Sequence, residues 1–399
     1  MFKIAQRAQQ MTESATLKMA QMARQLGSQG HDIINLSLGE PDFDTPDHIK
    51  NAAIESIRQG NTKYTPVAGT LELRQIISKK FARDNQVHYS PEEIIVSNGA
   101  KQCFANLCFA MLEPGDEVLV FSPYWVSYVE IIKLAGATPV CVHADVSRNF
   151  KPDPIQLEQA ITANTRMLIF SSPCNPTGTV FTESDLRGYE AVLRNRPDIL
   201  VVSDEIYEFI CFDGKPFSIA SLPGMNARTA TINGFSKGFS MTGWRLGYMG
   251  APLEVIQACV KIQGQFTSGA AAFTQKAAGF ALESDLGPTR SMCEAFESRR
   301  NVLLEELKSI PEWRVNKPQG AFYVLPEVDA CFGLSHGRHQ IQNSDDLALF
   351  LLEEAHVAVV NGIAFGAPEC IRISYSLSEA KIIEAIRRIR LALDKLHKS

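Results

Sequence analysis

The chain has 399 residues, more than a single hydrophobic core usually serves, so two domains are expected. Hydrophobic residues make up 45% and charged residues 21%, ordinary for a soluble globular protein, and the net charge of −5 offers no footprint for nucleic acid or an anionic membrane. No apolar run approaches the roughly 20 residues of a membrane-spanning helix, and the polar start Met1–Gln10 lacks the apolar stretch of a signal peptide, which points to the cytoplasm.

In chain order, a polar arm leads to a helix over Ala15–Leu26, ended by Gly27. Asn35–Leu38 reads as a strand breaking into the loop Gly39-Glu40-Pro41-Asp42. Pro46–Gln59 has helical spacing, with proline at its start and Gly60 at its end. From about residue 90 the pattern alternates. Short β-rich runs occur at Glu93–Val96, Glu117–Phe121, Pro139–Val142, Met167–Phe170, Ile199–Val202, Thr229–Ile232 and Leu246–Met249. Helical stretches lie between several of them, at Gln102–Met111, Tyr128–Leu134 and Glu183–Leu193. Apolar strands separated by helices imply an α/β fold with a mostly parallel sheet covered on both faces. After Pro288 a charged helix is expected over Ser291–Ser309. Short strands follow at Arg314–Val315, Ala321–Val324, Ala358–Val360 and Ile371–Ser374, and a helix over Glu379–Leu396 closes a smaller α/β unit. Neither end of the chain carries a complete core, so the first segment is expected to join the last. The nine cysteines form no CxxC pair and sit mostly in apolar runs, as buried free thiols do, and the eight histidines show no ligand spacing, so no metal site is expected.

Several polar residues stand where an open α/β sheet collects ligands, at the carboxyl ends of strands. Ser97-Asn98-Gly99-Ala100-Lys101-Gln102 follows a strand and opens a helix, where free N–H groups attract an anion; it also reads as a plain glycine turn. Trp125, in Pro123-Tyr124-Trp125, can stack on a flat ring or simply pack. Asn175 lies between prolines in Ser172-Pro173-Cys174-Asn175-Pro176-Thr177-Gly178, which leaves its backbone few options and lets its side chain be aimed. Asp204 ends an apolar strand, where a carboxylate is costly unless it meets a cation such as a protonated ring nitrogen, or caps a helix. Tyr207, three residues on, can point at the same ligand. Lys237, between Ser236 and Gly238, can hold an aldehyde covalently, and Arg245 in Gly243-Trp244-Arg245-Leu246-Gly247-Tyr248 can grip its phosphate. Arg372 alternates with Ile371 and Ile373; an arginine inside a core strand needs a carboxylate partner, which its planar fork binds bidentately, and the position also reads as a structural ion pair or an exposed edge strand.

Taken together, these segments resemble the fold-type I pyridoxal-phosphate-dependent aminotransferases of class I/II, and within them the bacterial subgroup Iβ of aspartate aminotransferases. The resemblance runs from Leu36-Ser37-Leu38-Gly39-Glu40-Pro41-Asp42-Phe43-Asp44-Thr45-Pro46 to Arg372, and rests most on Ser203-Asp204-Glu205-Ile206-Tyr207 and on Ser236-Lys237 with the Arg245 segment. It implies a large domain over 47–287 with a seven-stranded sheet, and a small domain made of 1–46 and 288–399. It implies a pyridoxal 5′-phosphate cofactor held covalently by Lys237, with Asp204 on the ring nitrogen, Tyr207 and Asn175 on the phenolic oxygen, and Trp125 over the ring. Gly99, Ala100, Lys101, Ser236 and Arg245 would hold the phosphate, joined by Tyr64 from the neighbouring copy of a homodimer. Gly39, Trp125, Asn175 and Arg372 would hold the substrate α-carboxylate. Thr16, in Ser14-Ala15-Thr16, and Lys101 match the positions that meet a distal carboxylate, which favours an acidic donor, aspartate, with 2-oxoglutarate as acceptor. Cys174 and Gly238 stand where the family varies. An aromatic or prephenate aminotransferase and a C–S β-lyase would share the same cofactor residues. A cofactor-binding regulator would carry a DNA-binding extension, which this sequence lacks, and a plain scaffold would leave Asp204, Lys237 and Arg372 without a reason.

Overall fold

The computed structural model describes residues 2–398. Its centre is a seven-stranded sheet: β1 (Ile94–Ser97), β2 (Glu117–Ser122), β3 (Thr138–His143), β4 (Thr165–Ser171), β5 (Leu200–Asp204), β6 (Thr229–Gly234) and β7 (Gly247–Gly250). The spatial order is β1-β7-β6-β5-β4-β2-β3. All neighbours are parallel except β7, which runs antiparallel to both β1 and β6. Every strand predicted from the sequence in this region is present. Alternation along the strands feeds two cores. Val118, Val120, Ile169 and Val202 pack with Cys103, Leu107 and Ile256 of helices Ala100–Met111 and Leu253–Phe266. Leu119, Leu168 and Val201 face the other way, onto Leu186, Tyr189 and Leu193 of helix Glu183–Leu193. A third cluster joins Ile94 and Val96 to helices Leu71–Lys80 and Ala272–Glu283.

The first and last segments contribute to one core. Met19, Ala23, Ile34 and Leu36 bury against Phe296, Leu351, Val357, Ile373 and Ile389. Ile34–Asn35 pairs in parallel with Val357–Ala358, and Ile371–Ser374 pairs antiparallel with both Val360–Asn361 and Tyr323–Val324. The charged helix runs Gly287–Leu307, starting before Pro288 rather than after it, because proline fits the first turn of a helix without losing a needed hydrogen bond. Arg314–Val315 is not a strand; Arg314 makes an isolated bridge to Glu327 and otherwise extends toward Glu327 and Asp329 as an ion pair. Helices Leu71–Lys80, Leu253–Phe266, Ala272–Glu283 and Ser344–Glu354 had no assignment from the sequence.

Behind β5 lies a buried polar network. Lys80, at the end of its helix, pairs with Glu208, and both side chains are shielded from solvent. Lys80 Nζ donates to Asn85 Oδ1 at 2.7 Å, and Asn85 Nδ2 donates to Glu205 and Glu208 at 3.1 and 2.9 Å. Ser203 and Ser218 donate to Glu205 at 2.9 and 2.6 Å. Burial raises the Glu205 carboxyl to about 7, so a proton there relieves a cluster holding two acids and one ammonium. The network anchors the segment 205–208 that follows Asp204. Lys80→Ala leaves Glu208 buried without its cation and should lower unfolding free energy by about 3–5 kcal/mol in urea titrations. A loss within about 0.5 kcal/mol, the range of ordinary surface changes, would contradict the anchoring role.

Candidate active site

Strands β1, β2, β4, β5 and β6 end at one edge of the sheet, and β7 begins there. The residues just past those ends line a cavity of about 550 Å³, closed from the other side by Ser14, Thr16 and Leu17 of the N-terminal helix region, by the Leu38-Gly39-Glu40 loop and by Tyr323 and Arg372 of the small sheet. Five basic side chains border it (Arg24, Lys101, Lys237, Arg245, Arg372) against two acidic ones (Glu40, Asp204), so the cavity favours anionic ligands.

Asp204 is buried at the end of β5. One carboxylate oxygen accepts from the Tyr128 hydroxyl at 2.5 Å and the other from the Ile206 N–H at 3.2 Å. No helix begins after Asp204, so the helix-cap alternative does not hold; the Ile206 bond only closes the turn that follows β5. Burial raises its carboxyl to about 6, against the opposing pull of the Tyr128 hydrogen bond. A cation placed beside it would hold it ionised. Lys237 follows β6; its Nζ donates to the Gly39 carbonyl at 2.5 Å and stands 5.7 Å from the Tyr207 ring centroid. Burial, and then the Arg372 charge, lower its amine to about 8, so the ammonium still leads near neutral pH but the uncharged share is far larger than in an ordinary lysine.

Arg372 is almost fully buried. Its Nη1 donates to Asn175 Oδ1 at 3.0 Å and its Nη2 to the Ser37 carbonyl at 2.7 Å, while Nε has no partner. The guanidinium lies 4.5 Å from the Tyr323 ring centroid and 4.9 Å from that of Phe365. Among the described residues no carboxylate pairs with it. A buried guanidinium with a free donor and no counter-ion is prepared for an incoming carboxylate, which it can meet with a planar fork. Asn175, between its two prolines, presents its Oδ1 to this guanidinium.

The β1-to-helix turn forms an anion cradle. Helix Ala100–Met111 starts without a side-chain cap, leaving its first N–H groups free. Gly99 has φ +90, and a Cβ there would sit 2.6 Å from Arg245 Nη2. A Cβ on Gly247 would sit 2.3 Å from the Ala100 nitrogen, so glycine lets β7 pass close beneath the cradle. Arg245 is itself left-handed at φ 52, held by Nη1 donating to the Thr242 carbonyl at 2.9 Å. Ser236 and Lys101 complete the wall. The Lys101 ammonium lies 4.9 Å from the Trp125 ring centroid, and its pKa is lowered by burial and then by Arg245.

Every site residue named from the sequence borders this cavity except two. Gly99 lies directly behind Arg245, and Tyr64 is fully exposed on a separate cleft with Lys63, Thr65 and Gln275. Two tyrosines were missed. Tyr128 holds Asp204 and meets Trp125 edge-on at 5.4 Å; Tyr323 shares a 2.9 Å hydroxyl contact with Tyr207. The i, i+3 spacing of Trp125 and Tyr128 at a helix start was the available signal for the first. Nothing local marks Tyr323, whose strand reads as plain core.

Comparison with known proteins gives a consistent result. A model of the family described as aminotransferase class I and II matches residues 31–389. The aspartate/prephenate aminotransferase of Nitrosomonas europaea is 44% identical over 391 residues, covering 97% of this chain and 98% of that protein. The crystal structure of the aspartate aminotransferase from Rhizobium meliloti superimposes with a TM-score of 0.96 at 40% identity, covering 100% of both chains. The aspartate aminotransferase of Thermus thermophilus with maleate gives 0.92 at 39% identity, covering 98% of this chain and 100% of that one. With sequence and fold agreeing along nearly the whole length, and the polar residues gathered at one sheet edge, this chain belongs to the class I and II aminotransferase family.

Proposed function

We propose that the protein moves the α-amino group of aspartate to 2-oxoglutarate, giving oxaloacetate and glutamate, with pyridoxal 5′-phosphate as its cofactor. The observation that carries this reading is a half-buried lysine with a lowered pKa sharing one cavity with a buried acid and a buried guanidinium that has no counter-ion among the described residues. The residues fit the cofactor: the cradle of Gly99, Ala100, Ser236 and Arg245 suits a phosphate, the absence of a Cβ at Gly99 letting the Arg245 guanidinium lie against it. Asp204 suits a protonated ring nitrogen, Trp125 the ring face, Tyr207 and Asn175 the phenolic oxygen, and Lys237 the aldehyde carbon. When bound, the cofactor supplies an electron sink that lets an amino acid lose its Cα proton. The chain does the rest. Arg372 and Asn175 hold the α-carboxylate, near Gly39 and Trp125, and so orient the Cα–H. Lys237 takes and returns the proton at Cα, a general-base role supported by its lowered pKa. Thr16 and Lys101 meet the distal carboxylate. Relatives named for aspartate, one of them studied with the dicarboxylate maleate, support the acidic preference.

The protein is further proposed to act as a homodimer, with Tyr64 reaching the phosphate of the second copy, which accounts for a fully exposed aromatic outside its own cavity. Residues 47–287 and the pair 1–46 with 288–399 are proposed as its two domains. Prephenate as amino acceptor is a second reading, supported by the name of the Nitrosomonas relative.

A panel of amino donors with 2-oxoglutarate, read as kcat/KM, tests the assignment. Aspartate should lead; a lead by aromatic donors, or release of pyruvate and ammonia from a cysteine-type amino acid without any acceptor, would replace it. In the cofactor-free protein, labelling of Lys237 by an amine-selective reagent should rise with pH through about 8, while an inflection near that of a free lysine would contradict the buried amine. Asp204→Asn should lower kcat on the order of 10²–10³-fold, the usual loss for one preorganised electrostatic partner; unchanged turnover would remove Asp204 from the chemistry. Arg372→Ala should raise KM for all donors, and Lys101→Ala chiefly for acidic ones, each by about 10–100-fold, the worth of a hydrogen bond to a charged group. A uniform loss in Lys101→Ala would place it in phosphate binding instead.

A further inference from the structure

A fully buried carboxamide joins the anion cradle to the Tyr64 loop. Gln263, on helix Leu253–Phe266, uses all four of its hydrogen-bonding positions. Its Oε1 accepts from Ser97 Oγ at 2.5 Å and from Asn106 Nδ2 at 2.9 Å. Ser97 ends β1 just before the cradle, and Asn106 lies on the helix whose first turn is the cradle. Its Nε2 donates to the Val67 carbonyl at 2.7 Å and to the Val96 carbonyl at 2.9 Å. Val67 belongs to the loop that carries Tyr64, and that loop also pairs with β1 where the Val96 N–H donates to the Ala68 carbonyl at 3.0 Å. A second buried glutamine holds the loop alone. Gln275 accepts from the Thr70 N–H at 2.8 Å and donates to Thr65 Oγ1 at 3.0 Å and to the Ala270 carbonyl at 2.8 Å.

We infer that Gln263 is a positioning residue that ties the protein's own phosphate cradle and the Tyr64 loop into one rigid frame, so that each phosphate is gripped by two frames, one from each copy. Tyr64 is fully exposed, yet the backbone a few residues on is bonded to two buried side chains, so the loop is set before a partner arrives. Setting a ligand-binding group in advance removes the ordering cost at the moment of binding. The frame serves the phosphate and no other part of the cofactor, because every group Gln263 touches leads to the cradle or to Tyr64. This inference rests on the cofactor and dimer reading given above.

The purified full-length protein, freed of cofactor, is titrated with pyridoxal 5′-phosphate and with pyridoxal, which lacks the phosphate, and binding is followed by protein fluorescence. In Gln263→Leu the dissociation constant for pyridoxal 5′-phosphate should rise about tenfold, a change comparable to one charged hydrogen bond, and that for pyridoxal should stay within about twofold. Gln263→Glu keeps the acceptor for Ser97 and Asn106 but loses at least one donor to the two carbonyls, and should show the same selective loss to a smaller degree; it carries the test if the leucine variant does not fold. In a Tyr64→Phe background the effect of Gln263→Leu should shrink without vanishing, and that of Gln275→Leu should vanish. Equal weakening of both ligands would overturn the inference, leaving Gln263 a general packing residue and the cofactor reading intact. An undiminished Gln263→Leu effect in Tyr64→Phe would overturn the tie to the loop. Failure of the unsubstituted protein to bind pyridoxal 5′-phosphate would instead overturn the cofactor reading.

Discussion

Because β1, β2, β4, β5 and β6 run in the same direction, their carboxyl ends lie along one edge, and the chain leaving each of them enters the same neighbourhood. The cradle after β1, Trp125 after β2, Asn175 after β4, Asp204 and Tyr207 at and after β5, and Lys237 after β6 are far apart in sequence and are brought together by this single constraint. The one antiparallel strand, β7, extends the constraint rather than breaking it. It starts at the same edge, so Arg245 just before it faces the cradle, and glycine at 247 lets the two backbones come close.

Electrostatics then gives the edge its character. Asp204 is buried and Lys237 partly so, and the lost hydration moves the Asp204 carboxyl upward and the Lys237 amine downward. Arg372 keeps its charge but has no counter-ion among the described residues. An excess of positive charge in a partly enclosed space is costly to the empty protein and is relieved by anions. Under the proposed function, a phosphate at the cradle and a carboxylate at Arg372 would satisfy the two ends separately. On the opposite side of Asp204, the Lys80–Glu208–Asn85–Glu205 network is closed on itself, with its donors and acceptors matched inside the protein. Two buried charge clusters on consecutive residues thus have opposite purposes: one is complete and structural, the other incomplete and open to ligand.

The sheet was readable because strands buried on both faces are continuous apolar runs, and all seven could be placed within a residue or two. Helix Ala272–Glu283 was not readable, since it is buried on more than one side and loses the polar stripe that marks a surface helix; helix Leu253–Phe266 buries one stripe, Val255, Ile256, Cys259 and Gln263, but the partly exposed Ala258, Val260 and Ile262 blur its polar face. Arg314–Val315 misled because apolar and extended residues pair as a strand only when a partner lies alongside, and there only one bridge forms. Most of the site was visible for a different reason: a charged or amide side chain at the end of an apolar strand contradicts its surroundings and asks for a partner. Tyr128, Tyr323 and Gln263 carry no such contradiction, because each residue type is ordinary inside a helix or strand.

By itself the sequence determined the α/β class, the elements of the central sheet, and which side chains were too polar for their positions, since these follow from local periodicity and from the cost of burying charge. It determined neither the order of the strands nor the partner of any buried group. Those were decided by tertiary structure, which alone sets Tyr128 against Asp204, leaves Arg372 without a carboxylate among the described residues, and places Gln263 between Val67 and Asn106. Hydrogen bonds and ion pairs depend on distances of a few ångströms between residues distant in the chain, and no pattern along one dimension fixes such distances.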